Sequence, residues 1–500
     1  MSIKRETSSF KWVWVVATAA FCALFTFALI PGAAAQGNAE GTTGTTNAAQ
    51  IRNYSNIMQN VFDFIIRNYV EEVEPRVVFE GAMNGMFGAL EDPYSSFLTE
   101  ADMKDMNDTT QGSFGGVGLN ITQSVGARPD GKPRYVEVAS PIEDTPGWRA
   151  GINPGDWITE INGIPTDTLN MDEVLGMLRG TPGESVRLVI KRGERMEFPV
   201  TITRAIIEVP TVKHAMIGDT GYLKLLTFTP MTAERAREAI NDFKANNYKS
   251  LILDLRNNYG GLLNSAVEIS NLFLDGGLVV RTRSRIRSEN RDFNAGRVTL
   301  VSADIPVIVL INKGSASASE IVAGALKDRG RAYLVGEKTF GKGSVQQIYP
   351  LSNTGFKITT ARYYTPSDVN IDKIGIPPDR EVLFPEYTEE DAVKLNALIN
   401  ANRIPEWVRQ NPQAAAAQID AFAGALEREY NINLSLLKRM IRNELNRTII
   451  APVYDLEYDV QLQEAMNILQ SGNYDNLIRN SRTLRVLQEE AENNDLAQAS

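Results

Sequence analysis

The sequence predicts a multidomain α+β protein. Helical segments stand at both ends, and a small strand-rich domain precedes an α/β core. Three observations carry this expectation. Apolar strand-like runs and helical stretches alternate from about Ile206, as in an α/β layer. Residues 112–204 instead show short strands punctuated by Gly, Pro and Asn turn signals. From Glu389 glycine is scarce and apolar residues recur at helical spacing.

The chain has 500 residues, enough for two to four domains. Its hydrophobic fraction of 43% is that of an ordinary globular protein. Net charge is −10, and no basic stripe suggests nucleic acid. The single cysteine, Cys22, excludes an intrachain disulfide. One His and one Cys do not supply the usual ligands of a zinc site.

Lys4, Arg5 and Lys11 precede an apolar run from Trp12 to Ile30, followed by an Ala33-x-Ala35 pattern. This is the form of a signal peptide or, given the length of the run, a membrane anchor over residues 12–30. Either outcome exports the remainder of the chain, to the periplasm or cell envelope. Phe21 before Cys22 argues against a lipoprotein site. Cleavage would remove a net +2 from −10 and leave −12. Residues 1–36 are set apart on this basis, and residues 37–50 read as a polar linker.

Between residues 51 and 111, Ile57, Val61, Phe62, Ile65, Ile66 and Tyr69 recur at helical spacing. A second helix is expected over Gly81 to Leu90, ended by Asp92-Pro-Tyr-Ser-Ser-Phe-Leu98. In residues 112–204, Gly116-Val117-Gly118-Leu119 precedes the alternating Asn120-Ile-Thr. Backbone N–H groups in such a Gly-rich turn can hold a carboxylate. An exposed strand beside it can pair with an extended peptide. Gly-x-Gly alone is most often a bulge or turn.

The core, residues 205–385, opens with a strand at Gly221–Leu226 and a helix at Met231–Asn246. A strand at Lys249–Asp254 runs into Leu255-Arg-Asn-Asn-Tyr-Gly-Gly261, then a helix over Leu263–Leu274. The Gly260-Gly261 pair lies past a strand end and before a helix, where ligands bind in such sheets. Ile305–Ile311 reads as a buried strand and Glu320–Asp328 as a helix. Between them lies Gly314-Ser-Ala-Ser-Ala-Ser319. Small residues permit close backbone approach, and a helix N-terminus suits an oxyanion. One of these serines is therefore a candidate nucleophile. His214 is the only histidine, so a histidine triad would have to use it. A buried lysine of lowered pKa is the alternative base, and Lys342, between two glycines, is the natural choice. Taken singly, small residues before a helix read as tight packing and Gly-Lys-Gly as a turn.

Together, Gly314-Ser-Ala-Ser-Ala-Ser-Glu-Ile-Val-Ala-Gly-Ala-Leu-Lys-Asp328 and Gly336-Glu-Lys-Thr-Phe-Gly-Lys-Gly-Ser-Val-Gln346 resemble the core of the C-terminal processing peptidases. These are serine–lysine endopeptidases with a ClpP/crotonase-like core. The resemblance implies that Ser317 is the nucleophile, Lys342 the general base and Gln346 the residue orienting the lysine. It also implies oxyanion donors at the N–H groups of Gly261, with Gly260 as second choice, and Ala318. No cofactor is implied. Residues 112–204 are similar to a PDZ domain with Gly116, Val117, Gly118 and Leu119 as its carboxylate loop, and an apolar protein C-terminus as ligand. Tyr69-Val-Glu-Glu-Val and Leu90-Glu-Asp-Pro-Tyr-Ser-Ser resemble helices that often form dimers in that family, so a homo-oligomer is one expectation. Asp368 stands where the family usually has glycine, which questions that turn. Residues 386–500 form an extra helical domain, capping the core or joining protomers. Two rivals come from other classes: a PDZ adaptor with an inactive core, and a hydratase-like acyl-CoA enzyme.

Overall fold

The computed structural model describes residues 43–123, 135–193, 195–383, 389–446 and 452–490. The expected leader at residues 1–36 lies outside them. The chain falls into two compact units, Met1–Ala82 and Met83–Ser500. In the first, a helix spans Thr43–Asn68 and leaves Ile51, Tyr54, Ile57, Met58, Val61 and Phe64 exposed. It begins inside the stretch read as a linker. Asn47-Ala-Ala-Gln50 are helix-compatible, so the helix extends N-terminally past its apolar residues. The next helix spans Pro75–Gly88, with proline at its first position. No helix among the described residues is long and apolar enough to cross a membrane.

The second unit is organised on a six-stranded sheet. Its order is Val212–Ile217, Thr220–Leu225, Ser250–Asp254, Val307–Ile311, Tyr333–Gly336, Arg380–Glu381. The first pair is antiparallel and the rest are parallel. Helices Thr232–Ala245, Leu263–Asn271 and Ala318–Asp328 lie between successive strands of the chain. Ser250–Asp254 and Val307–Ile311 are buried along their whole length, as expected of central parallel strands. Their side chains alternate between two cores. Leu251, Leu253, Val307, Val309 and Ile311 pack with the helices just named. Ile252, Ile308 and Leu310 face Leu462, Ala465 and Met466 of the C-terminal helix Val460–Gln470. Each such aliphatic side chain stabilises by about 1.5–3 kcal/mol when fully buried.

This divides the C-terminal segment. Helices Glu389–Asn400, Arg403–Gln410, Ala416–Tyr430 and Leu434–Asn446 surround a core of their own, with Leu398, Ala423, Leu426, Leu437 and Ile441 inside. Residues 452–490 instead cover one face of the six-stranded sheet. The expectation of one extra domain over 386–500 is corrected accordingly. Polar contacts reinforce the apolar face. The Tyr474 hydroxyl accepts from the Val307 N–H (3.1 Å) and donates to the Val307 carbonyl (3.0 Å).

A second sheet carries the residues after the lysine motif. Thr354–Tyr364 is flanked by Ser96–Leu98, Gly277–Ser284 and Ser344–Leu351, all antiparallel to it. The turn at Asp368 keeps the left-handed conformation a glycine would take, with φ 65°. The carboxylate of Asp368 is held by Arg283 at 2.6 Å, so a non-glycine residue is accommodated there.

The strand-rich domain is an antiparallel sheet ordered Leu119–Gln123, Val136–Pro141, Trp157–Ile161, Ser185–Arg192, Met196–Thr203. Its helix, Met171–Leu178, starts with a capping box between Asn170 and Glu173. Pairing of Ser113–Gly116 with Ala205–Glu208 closes the base of this domain.

Candidate active site

Ser317 sits between the buried strand Val307–Ile311 and the helix Ala318–Asp328, and is only 6% exposed. Its backbone has φ 56° and ψ −112°. Such a conformation in a non-glycine residue costs of order 1–3 kcal/mol and gathers at functional sites. The neighbouring serines are committed elsewhere. Ser315 Oγ donates to the Leu255 carbonyl and Ser319 Oγ to the Asn258 carbonyl, each at 2.8 Å. Both hydroxyls thereby clamp the loop 255–261 against the serine turn.

That loop brings the glycine pair to Ser317. A Cβ on Gly260 would lie 2.9 Å from the Ala318 nitrogen and 2.9 Å from Ser317 Cβ, so only glycine fits. The Gly260 N–H is already donated to Asn258 Oδ1 at 2.9 Å. Gly261 has φ 143° and bridges to Phe228 through the flanking carbonyl of Gly260 and N–H of Leu262. Among the described residues, no acceptor takes the N–H of Gly261 or of Ala318. Gly261 is thus the better donor of the two glycines.

Glu320 joins the serine turn to the lysine loop. Its side chain is fully buried. One oxygen accepts from the N–H groups of Ser317 (2.8 Å) and Lys342 (2.9 Å). The other accepts from Thr339 Oγ1 (2.6 Å) and the Gly341 N–H (2.7 Å). Burial pushes its carboxyl above the ordinary value, and these four donors oppose that rise. The glutamate was visible in the serine motif, but its role depends on a loop that returns twenty residues later. Gly343 fits against Asp372, whose Oδ1 accepts its N–H at 3.2 Å.

Lys342 is half-buried, its ammonium 4.7 Å from the centroid of the Tyr94 ring. Burial and the nearby Lys357 lower its pKa, against the pull of Asp92 and Glu320. Among the described residues, no hydrogen bond joins its amine to Ser317 or Gln346. Gln346 lies on Ser344–Leu351 at a bulge, and its Nε2 donates to Ser344 Oγ (3.0 Å) and Thr359 Oγ1 (3.1 Å). The chain does turn sharply at Gly341, which has φ 90°, but the lysine side chain is directed to Tyr94. Tyr363, which no motif signalled, is buried beside Ser317. Burial raises its phenol and the Ser317 hydroxyl draws it back.

His214 is on the edge strand Val212–Ile217, its Nε2 3.6 Å from Asp242 and its ring edge-on to Phe243. It belongs to the opposite side of the sheet order from the lysine loop and takes no part in this constellation.

Three family models match the chain: peptidase family S41 over residues 219–382, a PDZ domain over 137–192, and the N-terminal domain of the activating protease CtpB over 19–102. A carboxy-terminal-processing protease of Bartonella bacilliformis is 41% identical over 326 residues, covering 64% of this chain and 73% of the relative. The chain belongs to the carboxy-terminal-processing proteases of peptidase family S41. A chloroplastic carboxyl-terminal-processing peptidase of Arabidopsis thaliana is 38% identical over 62% of this chain and 61% of its own. A carboxyl-terminal-processing protease of Synechocystis is 36% identical over 64% and 75%. Among solved structures, the photosystem II D1 C-terminal processing protease is 31% identical, with 63% of this chain and 84% of that one covered and a TM-score of 0.40.

As a member of this family the chain is a serine-type peptidase with a PDZ domain. The matched PDZ residues begin after the Gly116–Leu119 loop. Within the processing protease that loop leads into Leu119–Gln123, which is an edge strand of the PDZ sheet. Gly118 has φ 78°, and a Cβ there would lie 2.3 Å from the Thr145 side chain. The carbonyls of Val117 and Gly118 accept from Gly147 N–H (2.7 Å) and Ile142 N–H (2.9 Å). Val117 is buried in the PDZ core, and Leu119 packs against it.

Proposed function

We propose that this protease cleaves peptide bonds through Ser317, with Lys342 as a neutral general base and Gln346 orienting the amine. The single observation carrying this reading is the Glu320 carboxylate, which holds the backbones of Ser317 and Lys342 on one oxygen. Among the described residues Lys342 is the one base candidate so placed, and burial favours its uncharged form.

Substrate binds with its scissile carbonyl over Ser317. The amine of Lys342 leaves the Tyr94 ring and meets the serine hydroxyl, since catalytic hydrogen bonds commonly close only with substrate bound. The hydroxyl oxygen attacks the carbonyl carbon while its proton passes to Lys342 Nζ. The oxyanion rests on the N–H groups of Gly261 and Ala318, each such donor contributing about 3–4 kcal/mol in known sites. The intermediate collapses, the C–N bond breaks, and the lysine returns the proton to the leaving amine. Water then takes the place of that amine and attacks the acyl carbon, Lys342 accepting its proton; as the ester C–O bond breaks, that proton passes to the Ser317 oxygen and the acyl group leaves as a carboxylic acid.

The PDZ domain presents substrate to this site. An apolar C-terminal segment would add to the edge strand Leu119–Gln123, its carboxylate on the N–H groups of Gly116–Leu119. The positive leader and its apolar run support export to the cell envelope, and dimers or larger assemblies of the chain fit the exposed apolar side of Thr43–Asn68. The testing experiment incubates purified protein with an unfolded polypeptide, free or amidated at its C-terminus. Cleavage that is lost in Ser317→Ala and weakened by amidation supports the reading. Cleavage insensitive to amidation removes the carboxylate loop from it. No cleavage at all supports an adaptor.

A further inference from the structure

The segment Asp92–Leu98 returns to the site from far upstream. Ser96–Leu98 pairs with Thr354–Tyr364 on the same strand that opposes Gln346. Asp92 and Ser95 then fasten to Thr359, the partner of Gln346 across that pair. Thr359 Oγ1 donates to Asp92 Oδ2 at 2.6 Å, and Ser95 Oγ donates to the same oxygen at 2.5 Å. Ser95 Oγ accepts the Thr359 N–H at 3.0 Å, and Asp92 Oδ1 accepts the Tyr94 N–H at 3.0 Å.

The direction of these bonds has a consequence for the glutamine. An ionised carboxylate can only accept. Burial opposes ionisation of Asp92, but the bonds from Ser95, Thr359 and Tyr94 hold it below its ordinary value. The Thr359 proton is therefore committed to Asp92, and toward Gln346 the Thr359 oxygen can only accept. It must face the amide NH₂, as the 3.1 Å Nε2 bond has it. Ser344 Oγ takes the other amide proton. The Gln346 carbonyl oxygen is left as the free end, with no donor among the described residues. An acceptor there is what a neutral lysine needs: it takes an N–H of the amine and leaves the nitrogen lone pair for the serine proton.

We propose that Asp92 is a positioning residue of the protease, fixing through Thr359 which end of the Gln346 amide is offered to Lys342. This rests on the Ser–Lys–Gln reading above. An asparagine at position 92 could donate to Thr359 instead of accepting from it. The Thr359 hydroxyl would then be free to donate to Gln346, and the amide could turn its NH₂ to the lysine, blocking the lone pair.

The charged and titratable groups around the lysine are Asp92, Glu320 and Lys357, with Tyr94 beneath it; Asp372 adjoins Tyr94. Among these, Asp92 and Glu320 favour the ammonium form, so Asp92→Asn should move the rising limb of the pH–rate profile to lower pH.

The experiment measures kcat, KM and the pH profile for Asp92→Asn, Thr359→Val, their double variant, Thr359→Ser and Lys342→Ala, with thermal melts of each. Asp92→Asn and Thr359→Val are expected to lower kcat by roughly 10- to 100-fold with little change in KM, the scale of one charge-assisted hydrogen bond. The double variant should be no worse than the weaker single variant, because both break one chain. Thr359→Ser should recover most of the loss. Full kcat in folded Asp92→Asn, beside an inactive Lys342→Ala, overturns this proposal alone. So do multiplying losses in the double variant, or an unmoved pH limb. Activity in Lys342→Ala overturns the Ser–Lys reading and this proposal with it.

Discussion

Ser317 and Lys342 donate their backbone N–H groups to one and the same oxygen of Glu320, at 2.8 and 2.9 Å. Twenty-odd residues of helix and strand separate the two motifs, and this carboxylate sets their spacing. Replacing Glu320 by Ala would orphan buried donors from Ser317, Gly341, Lys342 and Thr339. The expected outcome is a loss of about 3–5 kcal/mol of stability and of nearly all turnover. Denaturant unfolding and a peptide-cleavage assay check both parts.

Among the serines of this turn, Ser315 and Ser319 donate their hydroxyls to the 255–261 loop, whereas the Ser317 hydroxyl lies by Tyr363. Ser317→Ala should abolish cleavage with folding retained. Ser315→Ala and Ser319→Ala each remove a buried bond to the 255–261 loop and should cost about 1–3 kcal/mol, with a partial fall in kcat. Loss of cleavage in either, beside an active Ser317→Ala, would reassign the nucleophile.

His214 is 41% exposed at the side chain, which among the described residues meets Asp242 and Phe243. His214→Gln should keep cleavage within about twofold, as surface changes usually leave stability within ±0.5 kcal/mol. A collapse of turnover in the folded variant would revive a histidine triad.

Much of this arrangement was legible because the informative residues are close in sequence. Ser317 sits on its strand–helix turn within one motif, and Lys342 and Gln346 share another. The approach of the glycine pair to the serine turn was legible, but not that Asn258 would take the Gly260 N–H and leave that of Gly261 without an acceptor among the described residues. Contacts made by distant segments were not legible. Asp92 meets Thr359 across 267 positions, and Arg256 meets Asp459 across 203. No local pattern or periodicity encodes such pairings. The division of the C-terminal helices escaped for the same reason: Leu462 and Ala465 show helical spacing, which does not say which core they join.

Arg256 stands near the start of the 255–261 loop, and Asp459 of the C-terminal segment binds it at 2.7 and 2.6 Å. Asp254 and Gln461 hold the same guanidinium, which is nearly buried. Asp459→Ala should lower stability by about 1–3 kcal/mol and reduce kcat more than it raises KM. Unchanged melting and kcat would make residues 452–490 a cover for the sheet and nothing more.

The proposed mechanism depends most on a lysine that is neutral when it meets the serine. Burial and Lys357 lower its pKa, so the rising limb of kcat/KM against pH should fall below the ordinary lysine value of about 10.4. Gln346→Glu would add a negative charge, favour the ammonium form and move that limb to higher pH. The most direct measurement is the cleavage rate of the Lys342→Arg protein across this pH range, beside the native protein and Ser317→Ala. A guanidinium stays protonated throughout, so no turnover above the Ser317→Ala background is expected at any pH. Appreciable cleavage by folded Lys342→Arg at neutral pH would contradict the lysine as base.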